Sequence, residues 1–168
     1  MDGDQLRAIQ APLKQRYREQ PDAAAVTLSA SGELGEGVSC SVQTARAIAE
    51  AGLHPATGGD GSLLCSGDML LEALVACAGV TLRAVATSLG ISVSAGRVLA
   101  EGDLDFRGTL GVERSAPVGF RAIRLLFELE TDADEEQLAT LKKLTERYCV
   151  VYQTLAATPE LSTDIAAA

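Results

Sequence analysis

The sequence predicts a single domain of mixed helices and strands built around one long apolar helix, and three observations carry that expectation. Asp68–Gly90 (DMLLEALVACAGVTLRAVATSLG) is the longest apolar stretch without a helix breaker. Segments alternating with period two lie on both sides of it. An acid-led segment with apolar residues three apart follows them. At 168 residues the chain is expected to form one domain, 1–168, large enough to bury a core without staples.

The first element expected is a helix over Gln5–Gln20, with Leu6, Ile9, Leu13 and Tyr17 three to four apart, stopped by Pro21. Ala25–Ser31 and Gly37–Thr44 then read as a hairpin with SGELGEG as its turn, Val38, Cys40 and Val42 sharing one face. Thr44–Glu50 reads as a turn or two of helix. The glycine-rich run AGLHPATGGDGSLLCSG has little periodicity and reads as a long loop leading into the central helix. His54, followed by Pro55, is expected to hydrogen-bond its loop neighbours.

On the central helix, Glu72 and Arg83 share nearly one face at about 100° per residue, and Cys77 lies roughly 140° from Glu72. Leu70, Ala73, Thr81 and Ala84 on the thiol's side are small or apolar, so Cys77 is either a small core residue or the floor of a pocket. Asp68 stands in the first turn, where a carboxylate opposes the positive end of the helix dipole. Beyond Gly90, Ile91–Ala95 and Arg97–Arg107 read as strand, and Phe120–Thr131 is the clearest strand of all, with Ile123, Leu125, Phe127 and Leu129 alternating with Arg124, Leu126, Glu128 and Glu130. TDADEEQ announces a helix with Leu138, Leu141 and Leu144 on its buried stripe up to Tyr148. Cys149–Thr158 either continues it or starts a second short helix, in which case Cys149 stands at an N-terminus that favours thiolate. Leu161, Thr163 and Ile165 alternate as a short last strand would.

Composition narrows the function. A net charge of −9, from 23 acidic and 14 basic residues without a dense basic cluster, argues against nucleic acid. The N-terminus carries no apolar leader, and Asp68, Glu72 and Arg83 interrupt the apolar helix, so a soluble cytoplasmic protein without membrane partners is expected. Four cysteines, Cys40, Cys65, Cys77 and Cys149, are then expected as free thiols rather than bridges. The closest pair is twelve residues apart and His54 is the only histidine, which argues against a zinc site.

LLEALVACAGVTLRAVA around Cys77 and ERYCVVYQTL around Cys149, in this order and separation, make the chain resemble the OsmC/Ohr family over nearly its whole length. The resemblance implies an α+β, OsmC-like fold with antiparallel sheets wrapped around the central helix, in an intertwined homodimer with active sites at the subunit interface. It implies a thiol-dependent peroxidase reducing organic hydroperoxides, recycled by a thiol or dithiol, without metal or bound cofactor. By position Cys77 matches the peroxidatic cysteine and Cys149 the resolving one. Where hydroperoxide-reducing members carry a glutamate ten residues before the first cysteine, this chain has Gly67 with Asp68 beside it, which makes Asp68 the third candidate catalytic residue. Their early arginine is missing from SGELGEG, leaving Arg16, Arg18 or Arg46 as sources of positive charge, and Val150 stands where proline often follows the second cysteine. The alternative is a non-enzymatic member of the fold that binds a small apolar or thiol-reactive ligand at the interface.

Overall fold

The computed structural model describes residues 2–5, 8, 10–11, 19, 31–34, 39–43, 48–111 and 113–166. It is an α+β arrangement of a four-stranded sheet, a long helix, a two-stranded sheet and a pair of C-terminal helices. Of the expected N-terminal helix, residues 3–5, 8, 10, 11 and 19 are helical and the rest lies outside the described residues. Its start is capped reciprocally: the Gln5 amide donates to the Asp2 carboxylate at 2.8 Å, and the Asp2 amide to the Gln5 side chain at 3.0 Å.

The first sheet runs β1 (Ser31–Leu34), β2 (Ser39–Gln43), β3 (Ile48–Gly52) and β4 (Leu64–Cys65), in that spatial order. The first two pairings are antiparallel and β3–β4 is parallel. Two expectations are corrected here. Ser31–Leu34, read as turn, is itself a strand, because an edge position asks for only one hydrogen-bonded neighbour and tolerates Gly32; Ala25–Ala30 lies outside the described residues. Ile48–Glu50, read as helix, belongs to β3, where exposed Ile48 and Glu50 alternate with half-buried Ala49 and Ala51. Alanine is a strong helix former, and here the neighbouring strand overrides that preference.

The loop before the central helix is more ordered than its glycines suggest. His54 caps a single 3-10 turn, Pro55–Thr57, through Nδ1, which accepts the Ala56 amide at 3.0 Å, and its ring stacks on Phe106 with centroids 4.9 Å apart. The short strand β4 then delivers the chain into α1 (Ser66–Leu89), which ends at Gly90 in the left-handed region, φ 71°, where glycine has no Cβ to clash. Leu74, Ala78, Leu82, Val85 and Ala86 make one buried stripe along α1.

That stripe packs on the second sheet, β5 (Ala95–Asp103) with β6 (Ala122–Glu130), antiparallel from Ala95 opposite Glu130 to Asp103 opposite Ala122. In β6 burial alternates along the whole strand, as its sequence pattern requires. The expected extension of β5 to Arg107 is corrected: Asp105 accepts the Arg107 amide and starts the short helix α2 (Phe106–Thr109), which turns the chain away from the sheet. The Asp134 carboxylate and Gln137 form a capping box that opens α3 (Glu135–Tyr148), and α4 (Val150–Ala156) follows directly. Residues 157–166 form no strand. Leu161 and Ile165, 80% and 96% exposed, alternate as a strand would, but no neighbouring edge supplies hydrogen bonds among the described residues.

By length and composition alone α1 could cross a membrane, with 24 residues of which the most apolar 18 have a mean hydropathy of 1.8. Its buried stripe is instead covered by the β5–β6 sheet and by α3 and α4.

Candidate functional site

The site forms where the middle of α1 meets the corner between α3 and α4. Leu74 and Ala78 of α1 are buried against Cys149, and Cys77 borders the same cluster together with Ile123, Leu125, Val151 and Tyr152. Sequence left open whether the last helix continues through Cys149; the structure breaks it there. Cys149 adopts φ −75° and ψ 109°, ending α3 and capping α4 with the same residue. Its amide donates to the Thr145 carbonyl at 3.0 Å, and its carbonyl accepts from Gln153 at 2.9 Å. The Gln153 side chain reaches back across the corner to the Glu146 carbonyl at 2.8 Å.

This corner points the first amides of α4 at α1. Burial pushes the Cys77 thiol up, but hydrogen bonds from the Val151 amide, the Cys149 thiol, the Val150 amide and the Thr81 hydroxyl together bring it below the ordinary cysteine value. Cys149 moves the other way: burial raises it, the Tyr152 amide at 3.5 Å only partly offsets that, and the neighbouring Cys77 raises it further. Cys77 is therefore the more acidic sulfur of the pair, and Cys149, wholly buried, is the thiol that donates to it. Both are free thiols in contact, an arrangement suited to nucleophilic attack by one sulfur and capture by the other.

Asp68 does not join them. It is the third residue of α1 and exposed, and nine residues of helix place it roughly 13 Å along the axis and half a turn around from Cys77. The N-cap of α1 is Cys65, which makes no side-chain capping bond, so Asp68 supplies the first turn's only carboxylate. No lysine or arginine acts on Cys77 among the described residues, and Arg16, Arg18 and Arg46 lie outside them. No cluster of histidine, cysteine and carboxylate side chains suited to a metal occurs among the described residues.

An open apolar groove of about 960 Å³ shares a wall with the two thiols. Leu70 and Leu74 of α1, Ile123, Leu125 and Phe127 of β6, and Tyr152 and Leu155 of α4 line it, with Arg121, Lys142 and Glu146 toward its rim. Sequence reasoning named Thr81 only as a small neighbour of Cys77 and passed over the Val150 and Val151 amides. The signal for the amides was present: once Cys149 ends a helix, the residues after it must carry unpaired N–H groups.

A mixed α+β fold that brings a depressed cysteine on a central helix against a second, buried cysteine at a helix corner defines a dithiol protein. The chain belongs to the OsmC family, described as OsmC-like protein, which matches residues 59–164. Among solved structures it is similar to an OsmC-like protein of Mycoplasma pneumoniae, with TM-score 0.66 and 18% identity over 79% of this chain and 89% of that one. It is also similar to an organic hydroperoxide resistance protein OsmC of Legionella pneumophila, with TM-score 0.61 and 16% identity over 79% and 90%. An organic hydroperoxide resistance protein of Elizabethkingia anophelis gives TM-score 0.57 and 14% identity over 80% and 91%. No curated protein sequence matches the chain significantly.

Proposed function

We propose that this protein is a thiol-dependent peroxidase that reduces organic hydroperoxides with Cys77 as nucleophile and Cys149 as resolving thiol. The observation that carries the reading is the opposite displacement of the two touching thiols, Cys77 lowered and Cys149 raised. The Cys77 thiolate attacks the terminal peroxide oxygen; an S–O bond forms, the O–O bond breaks, and the alkoxide leaves and takes a proton as the alcohol. The Cys149 sulfur then attacks the Cys77 sulfenic acid, an S–S bond replaces the S–O bond, and water leaves. An external thiol or dithiol supplies two electrons to restore both thiols. The apolar groove beside the pair favours an alkyl peroxide over hydrogen peroxide.

In this reading the Val150 and Val151 amides do for Cys77 the work of the missing arginine. They stabilise a thiolate through directed dipoles and need no cation. Asp68 is left with a structural part at the start of α1. Free thiols fit the reducing cytoplasm, and the assembly we propose is a homodimer through the exposed side of α1.

The test is turnover of cumene hydroperoxide by purified protein with dithiothreitol as reductant. The wild type is expected to consume peroxide and Cys77→Ser to lose that activity; no turnover, or equal turnover in the variant, sinks the proposal. The groove also favours a second reading, a non-catalytic binder of an apolar ligand. That reading predicts peroxide-inert protein carrying a small molecule visible by native mass spectrometry.

A further inference from the structure

One buried group near the thiols has no use in the two steps above. Thr145, on α3 one turn before Cys149, is only 1% exposed, and its Oγ1 has no hydrogen-bond partner. It sits between Leu141, which packs on Leu82 and Val85, and Cys149, which packs on Leu74 and Ala78, so it faces the same side of α1 as the resolving thiol. A threonine inside a helix ordinarily returns its hydroxyl to the carbonyl four residues back, and this one does not. Valine would fill the same space without burying an idle donor, so the hydroxyl costs the reduced protein stability.

We propose that Thr145 is a positioning residue for disulfide formation, its hydroxyl donating a hydrogen bond to the Cys149 sulfur as that sulfur attacks oxidised Cys77. The inference rests on the peroxidase reading. Before oxidation the Cys149 thiol turns its hydrogen toward the Cys77 sulfur. After oxidation Cys77 carries a sulfenic hydroxyl. The Cys149 proton must then leave with that hydroxyl as water while the S–S bond forms and the S–O bond breaks. Losing that proton leaves negative charge on the Cys149 sulfur in a buried place, where the Tyr152 and Val151 amides are two donors and Thr145 is the third.

The experiment oxidises fully reduced protein with one equivalent of cumene hydroperoxide and follows the sulfenic acid, by dimedone trapping, against the disulfide, by intact mass. Thr145→Val is expected to oxidise Cys77 at the wild-type rate but to form the disulfide about tenfold more slowly, as loss of one hydrogen bond to a developing charge implies. Thr145→Ser is expected to restore the rate, and thermal melting of reduced Thr145→Val is expected at or above the wild-type temperature. Wild-type disulfide formation in Thr145→Val, or equal slowing in the valine and serine variants, overturns the proposal while leaving the peroxidase reading intact. Wild-type protein that forms neither sulfenic acid nor disulfide overturns both.

Discussion

At the scale of single residues, the division of labour between two chemically identical thiols comes from their surroundings. Cys77 and Cys149 both suffer burial, which disfavours charge on either. What separates them is the set of donors: Cys77 receives two amides, a thiol and a hydroxyl, whereas Cys149 receives only the Tyr152 and Val151 amides and turns its own hydrogen toward its neighbour. The sign of the resulting pH dependence follows. A lowered pKa means that Cys77 gives up its proton at lower pH than an unperturbed thiol, so its alkylation by iodoacetamide is expected to reach half its maximal rate at lower pH than that of a free-cysteine peptide. Cys149→Ala removes a donor and is expected to move the midpoint upward, while Cys149→Ser keeps an O–H and holds it closer to the wild type. Peptide-resolved alkylation rates across pH check this, and a Cys77 midpoint above that of a free thiol contradicts the assignment. The identity of the two cysteines was legible from their flanking motifs. Their polarity was not, because it depends on which amides point at which sulfur.

At the scale of elements, the site depends on a helix that stops at the right residue. The run CVVYQTLAAT carries no proline or glycine, so nothing local compels a break, and a straight helix through Cys149 is as compatible with its composition. Tertiary packing decides: Leu141 and Thr145 of α3 and Cys149 at the corner all bury against α1, and Gln153 ties α4 back to Glu146. The same logic explains which elements sequence patterns reached. The α1 stripe and the alternation of β6 each have a period that repeats over the whole element. The four-residue β1 and the alanine-rich β3 are too short or too helix-prone to announce themselves. Val150 is the first residue of α4, and Cys149 before it is extended, so the backbone accepts proline at position 150 without strain. Val150→Pro is therefore expected to fold with wild-type helicity by circular dichroism. It also deletes one of the amides that act on Cys77, so the alkylation midpoint of Cys77 is expected to rise. Wild-type helicity with an unmoved midpoint removes the Val150 amide from the account of thiolate stabilisation.

At the scale of the whole molecule, α1 buries one stripe and leaves the other side uncovered. Ala73 and Ala76 are exposed and Val80 is 72% exposed, on a helix whose most apolar 18 residues have a mean hydropathy of 1.8. Glu72 and Arg83 share that uncovered side. A two-fold antiparallel packing of α1 against a second copy, centred between Cys77 and Ala78, sets Glu72 of one copy opposite Arg83 of the other, at both ends of the contact. Ala73, Ala76 and Val80 then lie between the two ion pairs, where small side chains permit close approach. In such a packing the apolar middle would supply the free energy and the charged ends would fix the register, since sliding one helix by a turn separates both pairs. Purified protein is therefore expected to elute at twice the 17.4 kDa chain mass by light scattering at tens of micromolar concentration. Val80→Glu is expected to halve that mass by placing two carboxylates at the centre of the contact. Reversing the ends tests the register: Glu72→Arg alone sets like charges opposite one another and is expected to weaken the dimer, and adding Arg83→Glu to the same chain is expected to restore it. A wild-type protein that elutes as a single chain, or a double variant no better than Glu72→Arg alone, excludes this packing.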